Sequence, residues 1–156
     1  MRIHICAIGR LRPSPEKTLI DDYRGRFDKT GRNLALGPLH LHEIEDKKGG
    51  GPSAEAVLLN RAVPNGSLVC TLDERGKLMS SPQFSSLLAQ WRDQGQSDVS
   101  FIIGGADGLH ADLRANANAS LSFGKMVWPH LMARLMLSEQ LYRAASILAG
   151  SPYHRA

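Results

Sequence analysis

An α/β protein with a mainly parallel sheet, covered by helices on both faces, is what this 156-residue chain predicts. Three observations carry that expectation. Short apolar runs of strand character alternate with helix-like runs along the length. Two of the helix-like runs open on serine followed by proline, the chemistry of a helix start. No repeat, linker or low-complexity stretch interrupts the alternation, so residues 1–156 read as a single domain.

The elements follow in order. RIHICAIG sets Ile3 and Ile5 among more polar positions and stops at Gly9, as a strand does. SPEKTLIDDYRGRF opens on Ser14 as N-cap with Pro15 in the first turn, and Leu19, Tyr23 and Phe27 recur every fourth residue to face a core. LHLHEIE alternates Leu39 and Leu41 with His40 and His42, a second strand. DKKGGGPSAEAVLLNRAV is a basic, glycine-rich loop that opens onto a short helix from about Ser53. SLVCTL is a third strand, and DERGK reads as the turn that ends it. SSPQFSSLLAQWRDQG repeats the helix start with Ser81 as cap, and sets Phe84, Leu88 and Trp91 on one face. DVSFIIGGADG is a buried strand running into glycines, LHADLRANANA a short helix, and SLSFGKMVWP a mixture of strand and loop. The final helix begins near Pro129 and ends at Gly150, placed as a C′ residue.

Composition narrows the function only coarsely. Apolar residues make up 42% and charged residues 22%, as in an ordinary soluble globular protein. No apolar run approaches the length of a membrane span, and MRIHICAIGR is too short for a secretory signal, so a cytoplasmic protein is expected. Cys6 and Cys70 lie in apolar runs, where buried free thiols are the expectation. A formal charge of +4 and a pI near 9.3 suit a polyanion such as RNA without specifying one.

In a parallel sheet, ligands bind beyond the C-terminal ends of the strands. Three loops qualify: after Leu72, after Ile103 and around Gly124. GGADG, with Gly104, Gly105 and Gly108, permits close backbone approach, but it is neither the dinucleotide fingerprint nor a phosphate-binding loop. His40 and His42 share a strand face with no third ligand at metal spacing, so no metal is expected. No serine sits in a nucleophile elbow. The apolar residues of the last helix, Leu131 to Leu148, spread over more than one face, which leaves a side for a dimer contact. Glu139 precedes Arg143 by four residues. The pair is either a surface salt bridge or an arginine held ready for substrate, and the pattern leaves both open. The tail SPYHRA ends on an aromatic, an imidazole and a guanidinium, which a merely solvated end does not require.

Three stretches, FIIGGADGL, LSFGKMVWPHLMARLMLSEQLYRAASI and the terminal SPYHR, together resemble the RlmH-type methyltransferases of bacteria, within the SPOUT (α/β-knot) superfamily. The likeness spans essentially the whole chain. It implies a C-terminal trefoil knot, a homodimer, no added RNA-binding domain, and methylation of N3 of a pseudouridine in 23S ribosomal RNA on the assembled ribosome. The methyl donor would be S-adenosylmethionine, bound by three backbone loops at Leu72, at Gly104 and Gly105, and at Gly124, Lys125, Met126, Val127, Trp128 and Pro129. No metal is needed, because the donor's methyl is already electrophilic. Many relatives carry a proline where this chain has Ala106 followed by Asp107, and a serine where it has Gly124.

The resemblance also assigns roles. His154 is the candidate to take the N3 proton, with His130 as runner-up. Tyr153 would stack on a splayed base, and Arg155, Arg143 and Arg134 would hold phosphates or uracil-like carbonyls. The knot would bring the tail beside the cofactor. Against this stand three other readings: a non-catalytic ribosome- or RNA-binding protein, a SPOUT enzyme acting on tRNA, and a flavodoxin-like nucleotide binder.

Overall fold

Strands and helices alternate throughout the structure, a computed structural model that describes residues 1–155. Ala156, the last residue of the expected domain, lies outside the described residues. The strands are β1 (Arg2–Ile8), β2 (Leu39–Ile44), β3 (Leu68–Leu78), β4 (Asp98–Ile103) and β5 (Ala119–Ser122). The helices are α1 (Pro15–Gly31), α2 (Gly51–Ala62), α3 (Ser81–Asp93), α4 (Ala111–Asn116) and α5 (His130–Leu148). The sheet runs β2-β1-β4-β3-β5 with every pair parallel, an order consistent with the knotted class.

Burial on both faces explains the strand sequences. Every residue of β4 is buried, and so is every residue of β1 after Arg2. One face carries Ile3, Ile5, Ala7, Val99 and Phe101 against α1, α3 and α5. Phe101 lies at its centre, 5.9 Å from Phe84 edge-on and 6.5 Å from Trp91. The other face packs Cys6, Ile8 and Ile102 against Leu59 of α2 and Leu113 of α4. Each such side chain withdrawn from water contributes about 1.5–3 kcal/mol. Both thiols belong to these cores, where burial pushes Cys6 and Cys70 up to about 12, so neither is a nucleophile.

Two boundaries differ from the sequence expectation. The cap of α3 is Ser80, not Ser81: its hydroxyl accepts from Gln83 N–H while the Gln83 side chain accepts from Ser80 N–H, a complete capping box. DERGK does not end the strand: β3 runs on to Leu78, with Asp73 to Gly76 outside the pairing, and Gly76, which carries no Cβ, lets β5 approach; a Cβ there would stand 2.7 Å from Ser120 Oγ and 2.8 Å from the Leu121 carbonyl carbon. Helix α2 also starts earlier than Ser53, at Gly51.

At the N-terminal ends of the central strands lies a polar chain that pattern reading missed. Asp98 accepts Arg2 Nε and Nη2, each at 2.8 Å, and meets His4 Nε2 at 2.8 Å. His4 Nδ1 lies 3.0 Å from His42 Nε2, and its ring stacks on His40 at 5.2 Å. The two histidines of β2 therefore close a half-buried network with the third. Among the described residues no group of three or more His, Cys, Asp or Glu is placed to hold a metal.

The Arg2 fork holds the Asp98 carboxyl down to about 2 from an ordinary 3.8, against the opposing effect of burial and with help from His4. A depressed carboxylate contributes stability that is complete above its unfolded value and lost as pH falls through its folded value. Asp98→Asn should therefore lower the melting temperature by a constant amount above about pH 4. The difference from wild type should shrink between pH 4 and about 2, a window that thermal melts across pH 2–7 would reveal.

Candidate active site

The three expected loops meet at the C-terminal edge of the sheet. In the β3–β5 ladder, Leu72 and Lys77 both register with Leu121, so Asp73 to Gly76 are thrown out of the pairing as a bulge. The bulge is tied on both sides. Asp73 Oδ1 accepts Arg75 N–H at 2.8 Å, and Asp73 Oδ2 pairs with Arg114 of α4 at 3.4 Å. The Ser122 hydroxyl lies 3.0 Å from the Glu74 carbonyl and accepts Gly124 N–H at 3.0 Å, which fastens the first loop to the third. Gly124 has φ +113°, where a β-carbon is strained, so the glycine that departs from the usual serine matches its own backbone.

The second loop leaves β4 at Gly104 and closes through Gly108 N–H to the Gly105 carbonyl at 3.1 Å. A Cβ on Gly104 would stand 2.7 Å from the Gly108 carbonyl oxygen, backbone against backbone. Between the loops opens a pocket of about 950 Å³, within the range of small-molecule sites. Leu72, Gly104, Gly105, Gly124 and Met126 to Pro129 all line it, together with His130. Lys125, expected there, is exposed and does not line it. Met126 and Val127 are 73% and 83% exposed, so apolar side chains stand at the rim. Such a cradle, glycine-lined and open to backbone donors and acceptors, fits a nucleoside-bearing methyl donor.

The tail folds elsewhere. Helix α5 ends in a Schellman turn: Gly150, at φ +69°, donates to the Ile147 carbonyl at 3.1 Å and Ser151 donates to the Ser146 carbonyl at 2.9 Å. This reverses the chain along α5. Tyr153 OH donates to Glu139 Oε1 at 2.9 Å, and the same oxygen takes Arg143 Nη2 at 2.6 Å and Nε at 2.9 Å. The Arg143 guanidinium lies over the Tyr153 ring at 4.7 Å, and Tyr142 flanks that ring at 4.6 Å. Burial, then Tyr23 and Glu139, raise the Tyr153 phenol, which stays a donor. Glu139 and Arg143 side chains are only 18% and 24% exposed, so the pair is the dock of the tail rather than a solvated salt bridge.

The guanidinium also settles a tautomer. Arg143 Nη1 lies 3.3 Å from His154 Nδ1, and an arginine nitrogen can only donate. His154 is therefore the Nε2–H tautomer, with its remaining lone pair already engaged.

The expected residues thus form two groups, not one. Arg143 lies ten residues beyond Ala133, the last α5 residue to line the pocket, about 15 Å of helix axis. Within one chain the tail does not sit beside the pocket, which corrects that expectation: the Schellman turn returns it only to the middle of α5. Arg134 needs a second correction. It is 1% exposed, donates Nη2 to the carbonyls of Ile8 at 3.1 Å and Gly9 at 3.2 Å, and cannot reach RNA from there. Burial lowers its pKa, and its Nε and Nη1 have no partner among the described residues. Arg155 is exposed, as an RNA contact requires. Sequence reasoning missed Arg114, Ser122 and Glu55, whose roles come from contacts between distant segments that no local spacing reports.

Two substitutions separate the groups. Gly104→Ala should weaken donor binding at least about tenfold while melting stays cooperative, because the clash is confined to the loop backbone. Tyr153→Phe should cost about 1–2 kcal/mol in urea unfolding by removing one hydrogen bond to a carboxylate, and should leave donor affinity unchanged in calorimetry.

Comparison with known proteins gives a consistent picture. The family described as "Predicted SPOUT methyltransferase" matches residues 1–154. A protein of Ruegeria sp. (strain TM1040), named ribosomal RNA large subunit methyltransferase H, is 65% identical over 155 residues, which cover 99% of each chain. The protein of the same name from Dinoroseobacter shibae is 64% identical with the same coverage. Among solved structures, a probable methylase family protein from Haemophilus influenzae Rd KW20 superposes with a TM-score of 0.53 at 15% identity, covering 99% of this chain and 70% of that one. A probable methyltransferase from Bordetella pertussis Tohama I does so at 0.52 and 12% identity, covering 92% and 96%.

Proposed function

The chain belongs to the SPOUT methyltransferase family, and on that premise we propose that it methylates N3 of a pseudouridine in 23S ribosomal RNA of the large subunit, with S-adenosylmethionine as donor. The observation that carries the reading is the pocket at the C-terminal edge of the sheet, lined by residues of all three loops. A non-catalytic RNA-binding protein has no use for such a pocket, and the full-length relatives named for the large ribosomal subunit weigh against a tRNA substrate.

When bound, the donor supplies an electrophilic methyl on a cationic sulfur, which departs as a neutral thioether while N3 forms the new bond and gives up its proton to a general base. The chain's own task is positioning. Gly104 lets the second loop fold back on Gly108, Gly105 leaves room for Glu55 behind that loop, and Gly124 holds a φ of +113°, so the three loops keep the shape they present to the donor. His130 lines the pocket, with Nε2 3.8 Å from where a Cβ on Gly9 would lie, and is the imidazole there that can take the N3 proton. His154 presents an Nε2–H and works as a donor to a pyrimidine carbonyl; the base role expected of it requires Arg143 to release Nδ1 first. Tyr153 anchors the tail, and Arg155 is free to neutralise phosphate.

A homodimer resolves the separation of the two groups. Beside the pocket, and sharing Gly124 with it, runs an apolar groove of about 510 Å³ bounded by Tyr23 of α1, Leu78 of β3 and Leu135, Met136 and Glu139 of α5. A second copy seated there places its own tail near the first copy's pocket. Among the described residues no helix is long and apolar enough to cross a membrane, which fits action on ribosomes in the cytoplasm.

Ribosomal subunits incubated with enzyme and donor should yield N3-methylpseudouridine in the RNA digest by mass spectrometry, and unmodified digests would sink the reading. A chain lacking Tyr153 to Ala156 and a Gly104→Ala chain should each be nearly inactive. Refolded together they should recover about a quarter of wild-type activity, since half of randomly paired dimers hold one complete site. No recovery would mean that pocket and tail act within one chain.

A further inference from the structure

Behind the second loop sits a carboxylate that does not line the pocket. Glu55, half-buried on α2, holds Oε1 2.8 Å and Oε2 3.1 Å from the place a Cβ on Gly105 would occupy. Its Oε2 is buried and has no hydrogen-bond partner among the described residues. Native folds keep few buried carboxylate oxygens without a donor, since each costs its full desolvation. The other acids of this rim are in a different state. Asp73 is paired with Arg114, and Glu74 and Asp107 are exposed to water that screens them.

Gly105 separates this carboxylate from the pocket and has no side chain to fill the gap. The charge therefore acts on the pocket across one residue's backbone, with the unpartnered oxygen shielded from solvent, where electrostatic attraction is weakened least. A β-carbon at residue 105 would meet this carboxylate rather than the ligand. That changes the reason this position needs glycine.

We propose that Glu55 is a specificity-determining residue whose half-buried negative charge makes the pocket prefer the cationic methyl donor to the neutral thioether left after transfer. The inference rests on the reading of the pocket as the methyl-donor site. Donor and product differ at the sulfur by one methyl and one unit of charge, and the loop backbones that hold everything else cannot read that charge difference strongly. A fixed anion behind the loop can. It favours loading of the donor and eases departure of the product.

The test is calorimetric titration of wild type and Glu55→Gln with S-adenosylmethionine, S-adenosylhomocysteine and sinefungin, which carries an ammonium where the donor has its sulfonium. Glutamine keeps the volume and removes the charge. The donor and sinefungin should bind Glu55→Gln about three- to tenfold more weakly, with the thioether nearly unchanged, and Glu55→Asp should restore part of the preference. Partial unfolding of a variant scales all three affinities alike, so the ratio of donor to thioether remains readable. Equal weakening of all three would make Glu55 a prop for the loop and overturn the proposal, as would an unchanged ratio. Wild type that binds none of them would instead remove the donor site itself.

Discussion

Backbone meeting backbone at Gly76 is the contact on which the site depends. Because no side chain stands between β3 and β5 there, β5 can lie against β3 on either side of a slip in register. The slip expels Asp73 to Gly76 as a bulge that reaches over the edge of the sheet. Ser122, immediately after the slip, then links the bulge to Gly124, so the first and third loops move as one piece. A larger residue at 76 would push the strands apart and release both loops together. The pocket is thus a consequence of how two strands pair.

Charge is distributed unequally between the two ends of the sheet. At the N-terminal end Arg2, Asp98, His4 and His42 form a continuous chain that holds β1, β2 and β4 together. Toward the C-terminal end, buried side-chain polar atoms of Glu55, Thr71 and Arg134 have no partner among the described residues, those of Glu55 and Arg134 lying at the ends of β4 and β1. A fold stays rigid where its networks are complete, and it stores unmet polar interactions where a ligand arrives. Arg134 braces α5 against β1 through two carbonyls and so fixes the helix that carries both His130 and the dock of the tail.

Much of this was legible in the chain. Period-two runs located β1 and β2, an apolar run ending in glycines located β4, and the Ser-Pro starts located α1 and, within one residue, α3. Gly150 announced the Schellman turn. Resemblance placed Leu72, Gly104, Gly105 and Gly124 around a single pocket, where they lie. DERGK misled because a glycine among charged residues has two physical uses, a turn or a close approach, and only the neighbour decides between them. Arg134 misled for a related reason: an arginine on a helix looks solvated until the carbonyls that bury it come from a strand 125 residues earlier.

What the sequence by itself determined is local or periodic: which segments are helix or strand, which faces are apolar, where helices start and stop, and that glycines gather at strand ends. These follow from side-chain stereochemistry and from the two periods of helix and strand, which act over a few residues. What only the tertiary structure decided is relational. The register slip of β5, the orphaned carboxylate behind Gly105, the tautomer of His154 and the distance between tail and pocket each depend on atoms brought together from remote parts of the chain. Their physical cause is packing: a contact's energy is set by the partner's position, and that position exists only once the sheet and its helices have closed around a shared core.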